Sequence, residues 1–163
     1  VNAAKAMGAA KVIAVDFDNT YRMSLAKELG ADLVLGKDDD VVAAVLEATE
    51  GRGVDNSCEF SGAASALSNA IHSTRMGGYV NVLSVYGSGT PQVPMNEVVF
   101  RYLHLKGING RKMWSTWDTM HDLLSRNLID VDKVITHRMG IDSFEQAVQL
   151  AMDGNCGKVV LDF

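Results

Sequence analysis

Few side chains of this sequence are placed to do chemistry, and one of them closes an apolar run. KVIAVD (residues 11–16) ends on Asp16, and Arg22 follows six residues later. A carboxylate at the carboxyl end of a covered strand can accept hydrogen bonds from both hydroxyls of a ribose, and it repels a phosphate esterified to one of them. The plainer reading of Asp16 is an acid that begins a loop. An arginine near the start of the next helix can stack its guanidinium on a flat base, although Arg22 taken alone reads as a solvated helix residue. His72, His104 and His121 do not make, with cysteines or acids, the regularly spaced donor set that zinc requires. His137 follows an apolar strand, where a structural or interface role competes with an approach to a cleft. Cys58 and Cys156 stand far apart and read as free thiols. Trp114 and Trp117 share one helical face at a spacing that packs a helix more often than it binds a ligand. Arg75, Arg111 and Lys112 are cleft or surface charges without an assignable role.

The elements that would position these groups alternate along the chain. Ala3, Ala4, Met7 and Ala10 make an apolar stripe at helical spacing, with Gly8 placed to help end the helix. Residues 12–15 are a continuous β-branched-rich run, the pattern of a strand covered on both faces. Asn19 or Thr20 can cap a helix that stops at Gly30, and residues 33–35 form a short strand. The acids at 38–40 suit the start of the next helix, where the macrodipole favours carboxylates; a metal site is the weaker alternative. VDNSCEF reads as a strand and SGAASALSNAIHSTR as a helix, after which Gly77 and Gly78 turn the chain into YVNVLSVYG. Pro91 and Pro94 mark a loop, residues 103–108 a strand, and residues 114–126 a helix. VITH, a helix at 143–152 and the strand KVVLDF complete the chain. Neither internal repeats nor low-complexity segments interrupt it.

Strands separated by helices of about ten residues imply right-handed crossovers and a mostly parallel, doubly wound sheet. Ligands of such sheets bind at the carboxyl ends of the strands, which makes Asp16 the most informative single residue and favours NAD over NADP. A methyltransferase-like domain stays open, because an acid in the same place can hold the ribose of S-adenosylmethionine. A glycine-rich loop belongs before such a strand, yet the helix VNAAKAMGAA opens at Val1. The expected fold is α/β, a Rossmann-type doubly wound parallel sheet.

At 163 residues the chain is long enough for one domain with a hydrophobic core, single domains commonly running ~100 to 150 residues. A hydrophobic fraction of 47% with 21% charged residues is ordinary for a globular chain. The net charge of −5 leaves no electrostatic footprint for nucleic acid or an anionic membrane. No apolar run approaches the ~18 residues of a membrane span, and a cytoplasmic location is expected.

AKAMGAAKVIAVD, LAKELGAD, EATEGRGVD, EFSGA and GGYVNVLSVYG together resemble the cofactor domain of the zinc-containing medium-chain dehydrogenases, and the resemblance runs the length of the chain. Within that superfamily GINGRKMWSTWDTM (107–120) and ITHR (135–138) are similar to the L-threonine 3-dehydrogenase branch. Sorbitol and other polyol dehydrogenases share the ITHR-like segment, and Asn109 departs from the threonine usual at its position. The resemblance implies an oxidoreductase that passes hydride from an alcohol, L-threonine or a related one, to NAD. It implies zinc in the intact enzyme but none bound by this chain, whose family zinc ligands would lie upstream. It also implies that the Rossmann-type sheet is truncated, with its first strand and glycine-rich loop missing. On that reading residues 1–133 are the NAD-binding domain without its first turn, and residues 134–163 are a segment that returns to the catalytic domain.

The resemblance also assigns roles. Asp16 would bind the adenosine ribose, with Arg22 beside the adenine. Phe60, Ser61 and Gly62 would pass the adenosine half of the cofactor. Leu83, Ser84 and Val85, with Ile108 and Asn109, would hold the nicotinamide through backbone groups. The strand at 103–108, between Leu103 and Ile108, would pair with its copy across a two-fold axis in a homodimer or homotetramer. Two expectations follow: without the family zinc ligands the chain is inactive by itself, and without the first strand the strands at 12–16 and 54–60 fall in a split sheet. A non-catalytic product of a truncated gene is the remaining alternative.

Overall fold

The computed structural model describes residues 1–17, 20–87 and 89–163. In chain order they form α1 (Asn2–Ala6), β1 (Ile13–Val15), α2 (Thr20–Glu28), β2 (Leu33–Leu35) and α3 (Val41–Ala48). Next come β3 (Val54–Glu59), α4 (Ala64–Ser73), β4 (Thr74–Val82), α5 (Met95–Phe100) and β5 (His104–Gly107). The remainder is α6 (Ser115–Ser125), α7 (Val131–Val134), β6 (Ile135–Gly140), α8 (Phe144–Met152) and β7 (Lys158–Asp162). Every ladder among the described residues is parallel, as strands joined through helices require. The chain divides into two compact units, Asp40–Lys112 and a second made of Val1–Asp39 with Met113–Phe163.

Asp40–Lys112 holds the three-stranded sheet, in the order β3-β4-β5. Asp40 caps α3 by accepting the Ala43 N–H at 3.0 Å, so the acidic run does open a helix. Leu67 and Ile71 on α4 meet Val80, Val98 and Leu103 in the buried core, which explains why α4 lies against the sheet. Arg101 donates to the carbonyl oxygens of Ile71, His72 and Thr74, taking up groups that the end of α4 would otherwise leave without partners. Two features depart from the sequence reading. Residues 95–100, within the expected loop, form α5, which starts directly after Pro94. Gly77 and Gly78 lie inside β4 instead of before it. A Cβ at Gly78 would come within 2.9 Å of the Arg75 carbonyl oxygen and 3.0 Å of that of Asp55, so only glycine lets the backbone pass there.

In the other unit β1 pairs with β2 and β6 with β7. Lys5 ties α1 down by an ion pair to Asp32 at 2.6 Å and a hydrogen bond to the Ala10 carbonyl. Asp32 also accepts the Val12 N–H at 2.6 Å. The Lys5 ammonium and that backbone donor hold the Asp32 carboxyl below its usual range. The expected apolar stripe of α1 is exposed, Met7 at 71%, because the helix is too short to present a continuous face. Val15 is half exposed, so β1 is not covered on both faces. Of the two cap candidates for α2, Asn19 lies outside the described residues. β1 and β3 belong to separate sheets, as expected for the strands at 12–16 and 54–60.

Candidate functional site

Because β3, β4 and β5 run parallel, their carboxyl ends share one edge, and the chain leaving each strand emerges there. The ladder continues one step past the strands: Leu83 N–H donates to the Glu59 carbonyl at 3.0 Å, and Ile108 N–H to the Val82 carbonyl at 2.8 Å. Phe60, Ser61 and Gly62, Leu83, Ser84 and Val85, and Ile108 and Asn109 are thereby brought to a common edge. Phe60 and Val85 are 68% and 89% exposed there, an apolar rim on which a flat ring can rest.

Below the rim lies a group to which sequence reasoning gave no role. Glu59, the last residue of β3, is only 3% exposed. One of its oxygens accepts Ser61 N–H at 2.6 Å, Ser61 Oγ at 2.6 Å and Gly62 N–H at 3.0 Å. The other accepts Tyr86 OH at 2.9 Å and Ser84 Oγ. Burial by itself would push the Glu59 carboxyl up, but the donors from Ser61, Ser84 and Tyr86 outweigh it and hold the group at about 2. Tyr86 is pushed up, first by burial and then by that carboxylate. The signal was legible, since Glu59 opens the EFSGA motif and ends a strand as Asp16 does.

Asp16 follows β1, its N–H continuing the ladder to the Leu35 carbonyl at 3.1 Å. Its carboxylate pairs with Arg22, Nε to Oδ2 at 3.0 Å and Nη2 to Oδ1 at 3.4 Å. The guanidinium therefore spans both oxygens that a ribose would use, while each oxygen keeps a further lone pair for a hydroxyl. Asp16 and Arg22 belong to the unit with β1, the other candidates to the unit with β3.

Three of the four histidines have local partners. His104 stacks on Tyr79 with ring centroids 4.4 Å apart, His72 Nδ1 lies 2.8 Å from the Ser68 carbonyl oxygen, and His137 Nδ1 lies 3.0 Å from Thr136 Oγ1. Among the described residues no three histidine, cysteine or acidic side chains are grouped to hold a metal ion, so no donor set for zinc is at hand. Cys58 and Cys156 are free thiols, and burial pushes the Cys58 thiol up. Trp114 and Trp117 pack edge to face at 5.5 Å but stay exposed, so they cover each other and not a core. Trp114 precedes α6 with φ at +66°, which takes its side chain off the helical spacing. Among the described residues no helix is long and apolar enough to cross a membrane.

Residues 1–126 match the family model described as zinc-binding dehydrogenase. The chain is 41% identical over 167 aligned residues to L-threonine 3-dehydrogenase of Bacillus subtilis, covering 99% of this chain and 46% of that protein. It is 40% identical to L-threonine 3-dehydrogenase of Pyrococcus horikoshii, covering 96% and 45%. Among solved structures, 2R,3R-butanediol dehydrogenase of Bacillus subtilis superposes with a TM-score of 0.88 at 29% identity, covering 99% of this chain and 46% of the other. The chain thus spans about half the length of the relatives it matches.

Proposed function

This chain belongs to the zinc-binding dehydrogenase family, and from that premise we propose that it is the NAD-binding portion of an enzyme that oxidises L-threonine at its 3-hydroxyl to 2-amino-3-oxobutanoate. The observation that carries this reading is the 41% identity to an L-threonine 3-dehydrogenase across 99% of the chain. Asp16 takes the adenosine ribose, with Arg22 at the adenine. Phe60, Ser61 and Gly62 line the adenosine half, and the backbone at Leu83, Ser84, Val85, Ile108 and Asn109 holds the nicotinamide. The fit rests on a carboxylate just after β1 and on an exposed apolar rim over two loops that share the Glu59 carboxylate. Bound NAD supplies the hydride acceptor, and the residues of this chain contribute orientation.

The domain reading goes with it: residues 1–133 carry the cofactor and residues 134–163 return towards a catalytic domain. The zinc of the family has no donor set among the described residues. We place the enzyme in the cytoplasm as a homodimer or homotetramer joined along β5, whose residues are all exposed. A second reading, oxidation of a related diol or polyol, is favoured by the superposition on 2R,3R-butanediol dehydrogenase.

A chimera decides between the two. With these residues replacing the matching half of the Bacillus subtilis L-threonine 3-dehydrogenase, the expected result is NAD reduction driven by L-threonine in preference to 2,3-butanediol or sorbitol. Preference for a diol would support the second reading, and failure of a folded chimera to reduce NAD with any of them would refute both.

A further inference from the structure

Glu59 does more than end a strand. Its two oxygens receive five donors from two different loops: Ser61 N–H, Ser61 Oγ and Gly62 N–H on one side, Ser84 Oγ and Tyr86 OH on the other. The loops also touch directly. A Cβ placed on Gly62, whose φ is +74°, would lie 2.9 Å from the Val85 carbonyl oxygen. Resting on the NAD reading above, we propose that Glu59 is a positioning residue: its carboxylate latches the 60–62 and 83–86 loops into one preorganised element, so that both halves of the cofactor meet a single rigid rim.

Chemistry singles out a carboxylate for this place. An ionised carboxylate is an acceptor at both oxygens, whereas an amide of the same shape turns a donor towards one of the loops. All five partners can donate, and two of them are backbone N–H groups that cannot turn round. Burial strengthens these bonds and raises the cost of leaving any unmade. Loops held in place before the ligand arrives need no ordering when it binds, which raises affinity without a direct contact. Glu59 therefore acts on the cofactor through Ser61, Gly62 and Ser84.

The test uses Glu59→Gln, Tyr86→Phe and the double variant of the full chain, with NAD as the probe. Calorimetry should show each single variant weakening NAD by about tenfold, the loss of one charge-assisted hydrogen bond. The double variant should be no more than about twofold weaker than Glu59→Gln, since both changes act through one carboxylate. In ligand-free protein, Tyr86→Phe should shift the amide resonances of Ser61 and Gly62, across the carboxylate, while those of Asp55 and Leu46 stay fixed. A merely structural glutamate would instead give unchanged NAD affinity in folded variants, or independent effects that multiply, and either result would overturn the proposal. Should Glu59→Gln fail to fold, Tyr86→Phe and Ser84→Ala keep the carboxylate and give the same readouts. Unaltered protein that fails to bind NAD sinks the cofactor reading, but the ligand-free resonances still decide whether the latch exists.

Discussion

Two acids of this chain stand at the carboxyl ends of parallel strands, Asp16 one residue past β1 and Glu59 as the last residue of β3, and they have opposite surroundings. Asp16 after β1 faces a single arginine at a partly exposed surface, whereas Glu59 at the end of β3 is buried under uncharged donors from two loops. What separates them is the chain that follows. After Asp16 the backbone runs on to a helix carrying Arg22, and a solvated ion pair results. After Glu59 a Ser-Gly turn folds back over the carboxylate, and the neighbouring strand delivers a serine and a tyrosine to its other side. An exposed acid keeps capacity for a ligand; a buried and saturated one can only organise its neighbours.

Stability should separate the two most sharply. Glu59→Ala leaves buried donors without an acceptor and should cost about 3 to 5 kcal/mol, read from urea denaturation. A loss below about 1 kcal/mol would mean that water replaces the carboxylate freely and that the two acids are alike. Acid should reveal the same contrast. Glu59 sits at about 2 against an ordinary 4.5, so its ionised form favours the folded state. That contribution is complete above pH 4.5 and is lost as pH falls towards 2, a change on the order of 3 kcal/mol. Glu59→Gln should flatten the stability profile across this window, and an unchanged slope would show that another group carries it.

Gly62→Ala is expected to cost about 1 to 3 kcal/mol, because its positive φ and its contact with the Val85 carbonyl both oppose a side chain. A neutral result in thermal melts would place the loops farther apart than described. Asp16→Ala should instead change selectivity, reducing the preference for NAD over NADP by about tenfold in calorimetry. Equal affinities before the substitution would remove Asp16 from the ribose. On stability alone the same change should cost less than about 1 kcal/mol, as partly exposed ion pairs do.

How much of this was legible in the sequence follows from what kind of signal each part leaves. The strand at 33–35 and the capped helix after Asp40 were readable because periodicity and capping are local. The short helix at 95–100 was not, because prolines on either side of residues 92 and 93 read as a loop, although proline also commonly precedes a helix start. Gly77 and Gly78 read as a turn, yet both lie inside β4, where Gly78 serves close backbone passage, a tertiary demand with no local mark. The candidate edge at 60–62, 83–85 and 108–109 was found through family resemblance. The bonds that Glu59 makes across 25 and 27 residues of sequence are set by the tertiary fold and leave no local pattern.

The central claim is that the carboxyl edge of β3, β4 and β5 holds NAD, and an amide NMR titration tests it most directly. Saturating NAD should shift the resonances of Ser61, Gly62, Ser84, Val85, Ile108 and Asn109, with Asp16 moving at the same ligand concentrations and distant amides such as Asp122 unmoved. Saturable binding that leaves those residues unshifted while others move, or the absence of any saturable change, would contradict it.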